Sequence, residues 1–140
     1  MSTTAGYSGT SLFKKLGITP GMKILLINEP ADYFDLLEKN ISEQLCRENE
    51  TANFIHLFVK SKKEFELAMR NIAGIIKRNN EVIIWVSWYK KSAKMNTDIT
   101  EDDIRSYALK NKLVDIKVCA VSNVWSVLKL VVPVALRSKK

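Results

Sequence analysis

Two short, mainly apolar runs separated by one amphipathic stretch constrain this chain most. The first is FIHLFV at 54–59 and the second is VIIWV at 82–86. Runs so short and so continuous fit strands buried on both faces. Between them, Ser61 and Glu64 have the S-x-x-E spacing of a helix start. Phe65, Ala68, Met69, Ile72 and Ile76 then recur at helical spacing. Lys77 and Arg78 fall in the last turn, where cations complement the helix dipole. Strand, helix and strand in that order make a parallel pair with a crossover.

The alternation extends in both directions. Thr19-Pro20-Gly21 is a turn signal, and 22–28 follows as a first strand around Ile24, Leu25, Leu26 and Ile27. Pro30 with Asp32 and Asp35 starts a helix that turns Tyr33, Phe34 and Leu37 to the sheet and ends at Asn40. Residues 41–46 read as a weak second strand, 54–59 as the third and 81–87 as the fourth. Thr100 caps the next helix with Asp103 in its third position, and Ile104, Tyr107, Ala108 and Asn111 share a face. The last two strands, 114–121 and 124–132, are joined by Ser122-Asn123. So short a link forces antiparallel pairing. Asp115 and Lys117 are expected on one face of the fifth strand, paired at the sheet edge.

The fold class that results is α/β, a three-layer Rossmann-like sheet of about six strands in the order 2-1-3-4-6-5, with strand 6 antiparallel. Its expected organisation is an N-terminal arm (1–17), one domain (18–136) and a basic tail (137–140). A chain of 140 residues that is 46% hydrophobic suits one such domain without disulfide or metal staples. Cys46 and Cys119 are expected to be free structural thiols of a reducing compartment. No leader-like segment opens the chain and no apolar run is long enough to span a bilayer, so the expectation is a cytoplasmic protein with no membrane partner.

A formal charge of +7 invites an anionic partner, nucleic acid included. The excess lies in 61–80 and 121–140 without forming a dense basic run, so solvated helix ends and a solvated terminus explain much of it.

Several segments together resemble a known family. They are Gly6-Tyr7-Ser8-Gly9-Thr10, Leu16-Gly17-Ile18-Thr19-Pro20-Gly21, His56-Leu57-Phe58-Val59, Thr97-Asp98 with Glu101, Val114-Asp115 with Lys117-Val118-Cys119-Ala120, and Trp125-Ser126. Across nearly the whole chain they are similar to the bacterial family catalogued as domain of unknown function 3052. That resemblance implies a small bacterial α/β domain with no assigned activity. One departure is Tyr89, where the family carries proline, so the following loop is expected to bend differently. The strand order also resembles S-adenosylmethionine-dependent methyltransferases shortened by one unit, an analogy of topology alone.

Chemistry is sparser. A dinucleotide or methyltransferase site needs glycines after the first strand, so that backbone can approach the ligand. Here that strand ends Asn28-Glu29-Pro30-Ala31, and Pro30 removes an N–H donor. No conventional cofactor is expected. The loop after the fourth strand is the better candidate. Trp88 and Tyr89 offer ring faces, Lys90 and Lys91 charge, Ser92 a hydroxyl, and Thr97 and Asp98 hydrogen-bonding groups. That set suits a small anionic or nucleotide-like ligand, although the bland alternative is a solvated loop whose tryptophan plugs the core. The helix starting near Thr100 aims its N-terminus at the same region, but Asp98, Glu101, Asp102 and Asp103 already supply negative charge there and weaken the case for an anion. Tyr7 and Ser8 of the arm could close over such a pocket. His56, the one histidine, is expected to be a hydrogen-bonded core residue, with general-base chemistry as the alternative. A lone histidine with two distant cysteines leaves no metal cluster, and no nucleophile elbow is present. The expectation is a binding domain, with a divergent methyltransferase-like enzyme and a nucleic-acid or protein interaction module as alternatives.

Overall fold

The computed structural model describes residues 11–47 and 50–137. Tyr7 and Ser8, the proposed closure over a pocket, lie outside the described residues. Chain order begins with α1 (Leu12–Leu16), β1 (Ile24–Ile27), α2 (Tyr33–Leu37), β2 (Phe54–Val59) and α3 (Lys62–Arg78). It continues with β3 (Ile83–Tyr89), α4 (Glu101–Lys110), β4 (Val114–Ala120) and β5 (Trp125–Val131). Among the described residues, no helix is long and apolar enough to cross a membrane.

The five strands form one sheet in the order β1-β2-β3-β5-β4. β1, β2 and β3 run parallel, and β5 is antiparallel to both neighbours. The expected second strand is absent. Residues 42–44 form a 3-10 turn instead, and Leu45 makes a single parallel bridge to Ile24. The reason is local: Ser42, Glu43 and Gln44 interrupt the apolar run, and the Asn40 side chain accepts from the Ser42 N–H at 2.9 Å, turning the chain. The bridge nevertheless sits on β1, so removing that strand from the expected order yields the observed one.

Side chains alternate across the sheet and build two cores. Ile55, Leu57, Val59, Ile84, Val86, Leu128 and Leu130 pack with Phe65, Met69 and Ile72 of α3 and Ile104 and Ala108 of α4. On the long α3, Ile75 is the buried residue and Ile76 is only partly covered. The opposite face packs Phe54, Phe58, Trp85, Trp125 and Val127 under Leu12 and Leu16 of α1 and Tyr33 and Leu37 of α2. Residues 11–17, expected within an arm, are therefore part of the domain. Ser11 caps α1, Gly17 closes it at φ 76°, and the Trp85 indole N–H donates to the Leu16 carbonyl at 3.2 Å. Pro20 and Gly21 then occupy the centre of a turn closed by Met22 N–H to Thr19 C=O, with Gly21 at φ 90°, a conformation that favours glycine.

Two further expectations are corrected. β3 continues to Tyr89 rather than ending at Ser87, because β5 supplies partners: Trp88 pairs with Ser126 and Tyr89 with Trp125. And Asp115 and Lys117 do not share a face. A register shift between them sets Asp115 opposite Leu130 and Lys117 opposite Lys129, residues on opposite sides of the sheet. Asp115 instead pairs with Arg105 of α4, which also holds Glu101.

Candidate ligand cleft at the carboxyl end of the sheet

β3 delivers the chain to the sheet end where α/β proteins hold ligands. Lys90 N–H donates to Val124 C=O at 2.8 Å, prolonging the ladder one residue past the strand. The chain then turns through a 3-10 segment, Lys91–Ala93, and closes with Lys94 at φ 53°. An open cleft of about 770 Å³ results, lined by the end of β3, this loop, Thr97, residues 99–102 and Ser126. That volume is in the range of small-molecule sites.

Of the residues singled out from sequence, Trp88, Tyr89, Lys90, Lys91, Ser92 and Thr97 line this cleft. Trp88 is only 6% exposed, so most of its ring serves the core and little stacking face remains. Tyr89 leans on Trp125, with ring centres 4.4 Å apart at 25°. Lys91 is exposed and Lys90 half-exposed. Neither lysine side chain has a hydrogen-bonding or ionic partner among the described residues. Thr97 and Asp98 have structural work. The Thr97 hydroxyl donates to Lys60 C=O at 2.7 Å, and the Asp98 carboxylate accepts from Lys62 N–H at 2.8 Å. Asp98 thereby caps the first residue of α3 and is not part of the cleft lining.

The start of α4 forms a further wall of the cleft, in the region where the sequence places a run of acids. Glu101 and Asp102, in the first turn of α4, line the cleft with Met95, Ile99 and Thr100. Their negative charge beside the loop is readable from sequence; that Glu101 and Asp102 line the cleft while Asp98 and Asp103 do not depends on tertiary folding.

His56 stands apart from the cleft. It is fully buried, with Nδ1 2.7 Å from the Tyr33 hydroxyl and Nε2 2.7 Å from the Ser87 hydroxyl. Its ring stacks on Phe58 with centres 4.4 Å apart. Burial holds its pKa down at about 3, so the ring is neutral at physiological pH. One ring nitrogen donates and the other accepts, so Tyr33 and Ser87 play opposite parts. Burial also pushes the Tyr33 hydroxyl far up, with Glu29 adding to the effect. A Ser–His pair resembles an activated nucleophile, yet Ser87 is as inaccessible as His56, and the chain knits α2 to β2 and β3. Both cysteines are free and half-buried, and burial raises both thiols. A further hollow of about 510 Å³, at the amino end of β1, includes Cys46, Lys23 and Glu50. Among the described residues, no cluster of potential metal ligands forms.

Sheet order, helix layers and a cleft at the strand ends define a Rossmann-like α/β domain. Two solved structures share this fold. One, from Streptococcus agalactiae, is described as a protein in the NADB-Rossmann superfamily; it has a TM-score of 0.51 at 10% identity, over 85% of this chain and 66% of its own. The other, an uncharacterised protein from Listeria monocytogenes serotype 4b, has a TM-score of 0.55 at 10% identity, over 91% of this chain and 69% of its own. The chain thus spans about two thirds of the length of each. Such low identity speaks to fold alone. No family model matches the chain, and no curated protein matches it.

Proposed function

We propose that this protein is a non-catalytic Rossmann-like domain that binds a small anionic or nucleotide-like ligand in the cleft beyond β3. The observation that carries this reading is the pair Lys90 and Lys91, uncompensated among the described residues, at the mouth of a cavity on the carboxyl end of a parallel strand. An unpaired ammonium at a partly enclosed site favours an anion. The non-catalytic part rests on chemistry: the imidazole lies in the core, and the cleft hydroxyl that meets a carboxylate, Thr100 with Asp103, is committed to the cap of α4. Membership of the domain of unknown function 3052 family belongs to the same proposal. It is supported by the physical roles of matching residues, such as Gly17 and Gly21 at positive φ and Thr97 and Asp98 pinned to the turn before α3.

A divergent methyltransferase-like enzyme is the second reading. The antiparallel β5 inserted between β3 and β4 favours it. The turn after β1 opposes it, since Asn28 takes φ 58° where a cofactor loop would use glycine, and Pro30 offers no N–H. A nucleic-acid or protein interaction module, motivated by the charge of +7, is the third. A thermal-shift screen separates them. Ligand at a hundredfold excess over its dissociation constant adds roughly 2.7 kcal/mol of stability. Nucleotides or sugar phosphates should raise the melting temperature, and S-adenosylmethionine should not. A shift confined to adenosyl compounds would transfer support to the enzyme reading, and binding only to oligonucleotides, with steep salt dependence, to the third.

A further inference from the structure

The cleft is bipolar. Lys90 and Lys91 stand on the wall that follows β3, and Glu101 and Asp102 on the wall formed by the start of α4. Trp88 and Ile99, both buried, and Met95, 46% exposed, supply apolar lining. The acids of this turn differ in what occupies them. Asp103 closes a capping box with Thr100 and lies 3.9 Å from the Lys62 ammonium. Glu101 is held by Arg105. Asp102 is exposed, and its carboxylate has no hydrogen-bonding or ionic partner among the described residues. A simple anion such as inorganic phosphate would satisfy the lysines, but it would meet repulsion from Asp102. A ligand that satisfies both walls needs an anionic end, a flat apolar body and an end that donates hydrogen bonds.

Resting on the reading of the cleft as a ligand site, we propose that it selects a nucleoside monophosphate whose base carries an exocyclic amino group. The phosphate meets Lys90 and Lys91, the base lies along Met95, an apolar lining residue that keeps open surface, and the amino group donates to the Asp102 carboxylate. An ionised acceptor prefers a donor to a lone pair, since a carbonyl set against a carboxylate repels it. The cleft therefore favours adenine over hypoxanthine and cytosine over uracil.

The experiment is titration calorimetry of the full chain with AMP, IMP, CMP, UMP and inorganic phosphate. The panel is repeated on Asp102→Asn and on the Lys90→Ala/Lys91→Ala double variant. Asp102 is exposed, so its replacement leaves a folded protein, checked by far-ultraviolet circular dichroism. AMP and CMP should bind more tightly than IMP and UMP respectively, by about ten-fold or more, in keeping with one hydrogen bond to a charged group. Asp102→Asn should bring both ratios close to one, because an amide both donates and accepts. The double variant should weaken all four nucleotides. Equal binding of AMP and IMP to the native chain, or a preference that survives Asp102→Asn, would overturn the base selection while leaving the cleft a ligand site. Absence of binding by every nucleotide would overturn both.

Discussion

At the scale of single residues, the neutral imidazole of His56 governs the response to acid. Its pKa is about 3 in the folded state against 6.5 for an unperturbed histidine. The unfolded chain therefore takes up a proton first as pH falls. Stability is complete above pH 6.5 and declines as pH drops toward 3. The slope from this one group approaches about 1.4 kcal/mol per pH unit. Carboxylates add their own dependence, so the test is a difference. Urea unfolding of the native chain between pH 6 and pH 4 should show a steeper loss than that of His56→Gln. Equal slopes would show that the imidazole is not held neutral by burial. Ser87→Ala leaves one ring nitrogen without its partner in the core, and should lower stability at pH 7 by about 1–3 kcal/mol. His56 itself was legible as a core residue, because it interrupts FIHLFV in the middle. Its partners were not. Tyr33 and Ser87 come from two other elements, 23 and 31 residues away, and only the folded sheet brings their hydroxyls to the ring.

At the scale of elements, the helix starts matter most for the cleft. α3 begins at the far end of β2, and its first N–H groups are satisfied by Ser61 and by Asp98 from the segment that forms the cleft wall. Glu64 turns back to the Lys60 N–H at 2.6 Å, one residue before the cap, so the expected box is completed in a shifted form. Asp98→Ala should cost about 1 kcal/mol, the usual worth of a cap, and should loosen 97–99 against α3. Denaturant unfolding measures the first, and hydrogen exchange at the Lys62 and Ile99 amides the second. Unchanged exchange at both would show that the contact does not hold the wall. The strands and long helices were readable because continuous apolar runs and a 3.6-residue period specify them locally. Strand ends were less so. β3 reaches Tyr89 because β5 lies beside it, and the bulge at residues 115–117 follows from how β4 meets β5. The arginine at 105, shared by Glu101 and Asp115, joins α4 to β4 at the surface. Its side chain is 36% exposed, so Arg105→Ala should cost no more than about 1 kcal/mol.

At the scale of the whole molecule, the three parallel strands and their helices make the platform, and the antiparallel β5–β4 pair closes its far side. That arrangement places the lysines following β3 and the acids opening α4 around one cleft. The lysines were legible from sequence, since a loop leaving the end of a buried strand is where such folds bind ligands. The acids beside that loop were legible too, as charge at the start of α4; the sequence does not show that Arg105 holds Glu101 and that Thr100 and Asp103 cap each other. The contacts of Thr97 and Asp98 are likewise hidden from a local reading, because they lie 37 and 36 residues back, at Lys60 and Lys62. The central claim, an anion-binding cleft beyond β3, is tested most directly by thermal unfolding of the native chain and the Lys90→Ala/Lys91→Ala double variant, each with and without saturating AMP. The account expects a rise of several degrees for the native chain and a much smaller one for the variant, with equal melting temperatures when ligand is absent. Equal rises in both proteins would place any binding elsewhere and contradict the claim, as would no rise in either.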